Sequence, residues 1–190
     1  MLSVVLGLVG LVVVVLAVVA AVAIVIYNGL VGLRNRVQNA WSQIDVQLKR
    51  RHDLVPNLVD AVKGIMVHER EVLDRVTQAR SSAIAAGDDV AARAAAENAL
   101  TGAMRSLFAV AEAYPALRSN ENMLMLQEEL SSTENRIAFA RQHYNDAVMG
   151  YNTAQQQFPA VLFAASLGFR SADPFALDDP AERAVPTVSF

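Results

Sequence analysis

Residues 1–33 contain no Asp, Glu, Lys, Arg or His. Only Ser3, Gly7, Gly10, Asn28, Gly29 and Gly32 interrupt an otherwise hydrophobic run. No water-soluble surface can be built from such a stretch, so the first question is which solvent it meets. Leu2 to Tyr27, taken as a helix at about 1.5 Å per residue, would reach ~39 Å, more than the ~30 Å hydrocarbon core of a bilayer. Val12 to Val15 would suit a buried strand in water. In lipid a lone strand leaves its amides and carbonyls unpaired, and a helix satisfies them internally. The sequence therefore predicts a transmembrane helix, with Tyr27 at the interface.

A cleaved signal peptide is the competing reading. The segment lacks a basic leading region, and its apolar core far exceeds the usual ~7–15 residues. Ala21-Val22-Ala23 has cleavage-site character, but Ile24-Val25-Ile26 carries the apolar run past it. A retained anchor is the expectation, with the lipid bilayer as the partner of residues 2–27. Arg34 and Arg36 follow the span and no basic residue precedes it, which places the C-terminal body on the cytoplasmic side of an inner membrane.

All 16 basic and 19 acidic residues fall after position 33. That balance excludes the basic excess expected of a general nucleic-acid binder. The absence of cysteine from the sequence removes disulfides, thiolate metal sites and a cysteine nucleophile together. Beyond the anchor, Leu30, Leu33, Val37, Trp41, Ile44 and Leu48 recur at helical spacing, predicting one helix from the membrane to about Arg51. His52-Asp53 reads as a turn, with Asp53 capping a second helix that tolerates Pro56 in its first turn and ends at Gly87. Asp88 or Asp89 opens a third helix, about 89–114, stopped by Pro115. Ser119 or Asn120 caps a fourth. Its stripe runs Met123, Leu126, Leu130, Thr133, Ile137, Ala140, Tyr144, Ala147, Tyr151, Ala154 and Phe158 in alternating steps of three and four. Such regularity calls for a long helix packed along its length. The expected fold is all-α: an N-terminal transmembrane helix, then an elongated antiparallel four-helix bundle. The divisions are 1–27 anchor, 28–159 bundle and 160–190 short helix with an extended tail.

Sites of chemistry are scarce. A carboxylate-bridged di-metal bundle needs Glu three residues before His on two helices, whereas Lys49, Ile65 and Ala140 hold those places before His52, His68 and His143. His68-Glu69 opens like a zinc-protease motif, but Val72 stands where the second His belongs. No phosphate-cradling glycine loop or serine elbow is present in the sequence. Glu69 falls on the apolar stripe between Met66 and Leu73, so burial would oblige it to find a donor, with Arg or Asn across the bundle the expected partner. With His68 and Trp41 it forms the set of candidate buried polar or interaction residues. Lys49-Arg50-Arg51-His52 reads as a solvated hairpin tip, partly neutralised by helix-terminal carbonyls.

The run Leu33-Arg34-Asn35-Arg36-Val37-Gln38-Asn39-Ala40-Trp41-Ser42 resembles the opening of the bacterial LemA family. Asp53-Leu54-Val55-Pro56-Asn57-Leu58-Val59, Ala111-Glu112-Ala113-Tyr114-Pro115 and Leu130-Ser131-Ser132-Thr133-Glu134-Asn135-Arg136-Ile137 carry the same likeness. So does the closing Val185-Pro186-Thr187-Val188-Ser189-Phe190. Ile65-Met66 and Asp173-Pro174 depart from the family pattern locally. The resemblance implies a single-pass, N-terminally anchored helical bundle with no agreed biochemical activity and no catalytic motif to transfer. The expectation is a non-enzymatic membrane scaffold or adaptor without cofactors, forming a homo-oligomer or docking a membrane protein, and not binding nucleic acid. A sensory or ligand-binding bundle is the alternative.

Overall fold

The computed structural model describes residues 2–176. Its elements are α1 (Leu2–Lys63), α2 (Arg70–Ala85), α3 (Val90–Ala111), α4 (Pro115–Arg118), α5 (Glu121–Gln156) and a 3₁₀ turn at Ala160–Leu162. Among the described residues there is no strand. Residues 177–190, which include the closing Val185–Phe190 motif and much of the expected extended tail, lie outside the described residues.

The apolar segment is helical, as its unpaired-backbone argument requires, and its 18-residue most apolar window is not buried within the protein at all. A core helix of a soluble domain would be covered; this one presents Val, Leu and Ile outward, long and apolar enough to cross a membrane.

The expected turn at His52-Asp53 does not form. α1 runs on through Pro56 to Lys63, and the physical reason is specific. Proline has no amide hydrogen, so Pro56 leaves the carbonyl four residues earlier, that of His52, without its helical partner. Arg80 of α2 donates its Nε to that carbonyl at 2.7 Å. The helix keeps its course because a side chain 28 residues away supplies the missing bond. Asp53, expected as a cap, instead pairs with Lys49 one turn back at 3.0 Å.

Later boundaries follow the sequence more closely. Gly87 takes φ +68°, the left-handed conformation that favours glycine after a helix. Asp89 caps α3, accepting from the Ala92 amide at 2.7 Å. Asn120 caps α5 through the Met123 amide at 3.1 Å. Pro115 begins the short α4 instead of ending α3, a position where its missing amide costs nothing. Phe158, expected at the end of the α5 stripe, is exposed and lies beyond the helix.

The described residues divide into two compact units, 2–40 with Asp146–Ala172, and Trp41–Asn145 with 173–176. In the first, Phe169 is buried, with Tyr27 at 5.5 Å between ring centroids and the Arg34 guanidinium 5.5 Å from its ring. Asn152 brackets Ala172, donating to its carbonyl and accepting from its amide, each at 2.9 Å. In the second, one apolar core gathers Val55, Leu58 and Val62 of α1, Val76 of α2, Leu100 and Leu107 of α3, Leu117 of α4 and Leu130 of α5. Each fully buried Leu or Val contributes about 1.5–3 kcal/mol relative to exposure.

Candidate functional site

The second unit places charge inside its core. On α1, Leu48, Arg51, Val55, Leu58 and Val62 form one stripe at steps of three and four, and all five are buried. Arg51 is 0% exposed. On α3 the stripe runs Ala94, Glu97, Leu100, Met104, Leu107 and Ala111, and Glu97 is likewise 0% exposed. Each helix thus turns one charge of opposite sign toward the shared interior.

Arg51 spends its guanidinium on two other helices. Nη1 donates to Thr101 Oγ1 at 2.8 Å on α3, and to Glu134 Oε1 and Oε2 at 2.9 and 3.2 Å on α5. Nη2 donates to Glu97 Oε2 and to the Glu97 carbonyl, the latter at 3.4 Å. His52, also buried, sets Nε2 2.9 Å from Glu97 Oε1. Thr101 Oγ1 donates onward to the Glu97 carbonyl at 3.1 Å. At the rim, Arg50 pairs with Glu129 at 2.8 Å in a solvent-exposed contact.

Burial alone would raise the Glu97 carboxyl. The His52 hydrogen bond and the charge of Arg51 outweigh it and hold the group below the usual carboxylate range. Glu97 is therefore an ionised acceptor at neutral pH, facing a guanidinium that never loses its proton in proteins. The chemistry available to this pair is holding, with charge-assisted bonds fixing three helices to one another. Glu134 is the outlet: its side chain is 34% exposed and borders a groove of about 430 Å³ between α3 and α5, floored by Met104, Phe108 and Leu130 with Thr101 and Asn135 alongside.

The residues singled out in the sequence take other places. Glu69 is the N-cap of α2, half-buried, and accepts from Tyr114 Oη at 3.2 Å; its partner is a phenol, not the expected Arg or Asn. His68 is exposed in the connection before α2. Trp41 is half-buried, 5.3 Å from Tyr144 and 6.0 Å from Phe175 between ring centroids, with the Arg93 guanidinium 5.4 Å from its ring. Arg93 also reaches Asp45 at 2.8 Å. Glu69 and Trp41 have different neighbours and mark two separate places. The basic run 49–52 is not a solvated tip: Lys49 and Arg50 are exposed, whereas Arg51 and His52 face the core. Sequence reading missed Arg51 and Glu97, although each stands on the apolar stripe of its helix.

Fold and site together define an all-helical protein with a long apolar N-terminal helix and a core tied by buried ions. The model of the LemA family matches residues 40–190, and the chain belongs to that family. Among curated proteins it is similar to the magnetosome protein MamQ of Magnetospirillum gryphiswaldense, 24% identical over 174 residues, covering 78% of this chain and 64% of that protein. MamQ 2 of Paramagnetospirillum magneticum is 28% identical over the same 174-residue length, with the same coverage. Protein LemA of Metamycoplasma hominis is 29% identical over 131 residues, 66% of this chain and 58% of that one. The alignments thus span less than two thirds of these relatives' own length.

Proposed function

We propose that this protein is a membrane-anchored, non-enzymatic scaffold or adaptor. Residues 2–27 lie in the inner membrane as a single span, and α1, α2, α3 and α5 act as an antiparallel four-helix bundle on its cytoplasmic side. That body self-associates or docks a membrane protein. The observation that carries the reading is the use of Arg51: its bonds to α3 and α5 hold three helices in one register, which favours a surface of fixed shape. Confinement to a bilayer raises the effective concentration of such surfaces for one another. Arg34 and Arg36 just past the span support the cytoplasmic orientation. Chemical crosslinking in native membranes tests the reading. Discrete species larger than one chain are expected; a strictly monomeric protein with no co-purifying partner contradicts it.

A second reading takes the groove beside Glu134 as a ligand site, since one carboxylate there joins an apolar floor to the buried Arg51. It predicts that a specific small molecule raises the thermal midpoint of the full chain, and that E134Q abolishes the rise.

A further inference from the structure

The segment after α5 brings a second apolar surface to the end of the long apolar helix. Residues 2–40 and 146–172 form one compact unit, and within it the segment is tied at its far end to both helices. Phe169 is buried, with Tyr27 of α1 5.5 Å away between ring centroids and the Arg34 guanidinium 5.5 Å from its ring. On α5, Gln155 Nε2 donates to the Arg170 carbonyl at 3.5 Å, one residue further on. Between Gln155 and these ties the chain folds back on itself through short backbone bonds: the Ala164 amide donates to the Ala160 carbonyl at 2.8 Å, and the Phe169 amide to the Ala164 carbonyl at 3.0 Å. Gly168, at φ +80°, turns the chain between exposed Leu167 and buried Phe169. Ala160, Ala164 and Phe169 face inward. Phe158, 80% exposed, Leu162, 65% exposed, and Val161 and Leu167 stay outside. Residues 147–172 contain no Asp, Glu, Lys or His, and Arg170 is their single charge. A surface patch of this kind, uninterrupted by charge, marks a contact with something other than water.

The place of the patch selects the contact. Ala17, Ala20 and Ala21 of α1 are exposed, whereas Ala23 and Ile26 are half-buried and Leu30 is buried. The protein's own cover over α1 thus begins inside the apolar run, at the level of Val22 and Val25, which point outward. Any chain packed there meets the same surroundings as the end of the span. We propose that Phe158–Leu167 is a second membrane-contact element, laying Phe158, Val161, Leu162 and Leu167 into the headgroup–acyl boundary of the bilayer that α1 crosses. Aromatic and aliphatic side chains with neighbouring cations suit that zone. Arg34, over the Phe169 ring, and exposed Arg170, next to Phe169 in sequence, supply the cations for phosphate headgroups. A lone span is free to rotate about its axis; a span with an interfacial wedge on one side is not. The inference rests on the single span proposed above and adds the element that fixes its rotation.

The sequence contains no cysteine, so single cysteines can carry an environment-sensitive nitrobenzoxadiazole label. The full chain is reconstituted in phosphatidylcholine–phosphatidylglycerol vesicles with a nitroxide either near the headgroup or at the bilayer centre. F158C and L162C, both at exposed positions, are expected to be quenched several-fold more by the shallow nitroxide than N39C, an exposed site on α1 ~18 Å beyond Tyr27. V13C is expected to respond to the deep nitroxide and reports on the span itself. F158Q/L162Q removes the two most exposed apolar contacts of the patch. V161C in that background should lose most of its shallow quenching, while V13C keeps its own. If F158C and L162C are quenched no more than N39C while V13C reports the span, the inference fails and the anchor stands. Shielding of the patch from aqueous iodide without quenching by either nitroxide also overturns it, and assigns the patch to a protein partner. Unchanged V161C quenching in F158Q/L162Q overturns it as well, because the patch would then lie near lipid without being held by it. If V13C is quenched at neither depth, the span proposed above fails, and the inference with it.

Discussion

The two ends of α1 obey opposite rules. Toward the N-terminus the helix exposes its apolar side chains and carries no charge: Leu11, Val13 and Leu16 are each more than half exposed. Toward the C-terminus it buries Ile44, Leu48, Val55 and Leu58, and among them buries Arg51. One helical geometry thus serves two solvents. Where the surroundings are lipid, every turn must be apolar because no partner waits to neutralise a charge. Where they are other helices, a charge is tolerated at the centre because α3 and α5 bring its counter-charges and hydrogen bonds.

The sharpest way to break this contrast is to remove the buried cation. R51A leaves Glu97 buried beside His52 alone and is expected to cost about 3–5 kcal/mol in chemical denaturation of the full chain. The paired change R51M/E97L should recover most of that loss, since replacing both ions with apolar groups is often neutral. If the double variant is as unstable as R51A, the cluster is not a balanced pair. Placing a cation at the other end, V13R, is expected to cost about 2.5–3.5 kcal/mol of insertion free energy, read as protein lost from the membrane fraction. Arginine with its partners is thus expected to be tolerated in one part of the helix and rejected in the other.

A smaller effect tests the continuity of the helix. R80A strands the His52 carbonyl and is expected to cost about 1.5–3 kcal/mol. In a P56A background the restored amide at position 56 satisfies that carbonyl, and the same R80A change should cost far less. Equal costs in the two backgrounds would show that Arg80 acts elsewhere. The gentlest probe is pH. Because folding depresses the Glu97 carboxyl, its contribution is fully present above its ordinary value of 4.5 and disappears as pH falls through the lower, folded value. Denaturation midpoints should therefore decline below pH 4.5 in the wild-type chain, with a shallower decline in E97Q.

The parts legible in the sequence were those set locally or by solvent. The helical state of residues 2–27 follows from the cost of unpaired amides in lipid, and the Asp89 and Asn120 caps from three-residue reach. The stripe of α5 places Leu130, Thr133, Ile137 and Tyr144 in the interior as its spacing demands. What escaped depended on distant partners. Pro56 reads as a helix start until Arg80 is known to complete the His52 carbonyl. Arg51 sits in a basic run that looks solvated, and only its place between Leu48 and Val55 hints otherwise. Glu69 looked buried because a stripe was drawn through Met66, but the chain turns between α1 and α2 there, and the carboxylate buried in the core beside Arg51 is that of Glu97. The docking of Phe175 on Asn145 joins residues 30 apart with no shared pattern to announce it.

The contrast within α1 is tested most directly by single cysteines in the otherwise cysteine-free chain, labelled in permeabilised native membranes with a membrane-impermeant maleimide. Cysteine at Val46, exposed on the body, should react throughout. Cysteine at Ile44, shielded by protein, should stay unreactive until the fold is denatured. Cysteine at Val13, exposed on the protein yet shielded by lipid, should be unreactive in the membrane and react once the bilayer is extracted. Labelling at Val13 as fast as at Val46 in intact membranes would contradict the account.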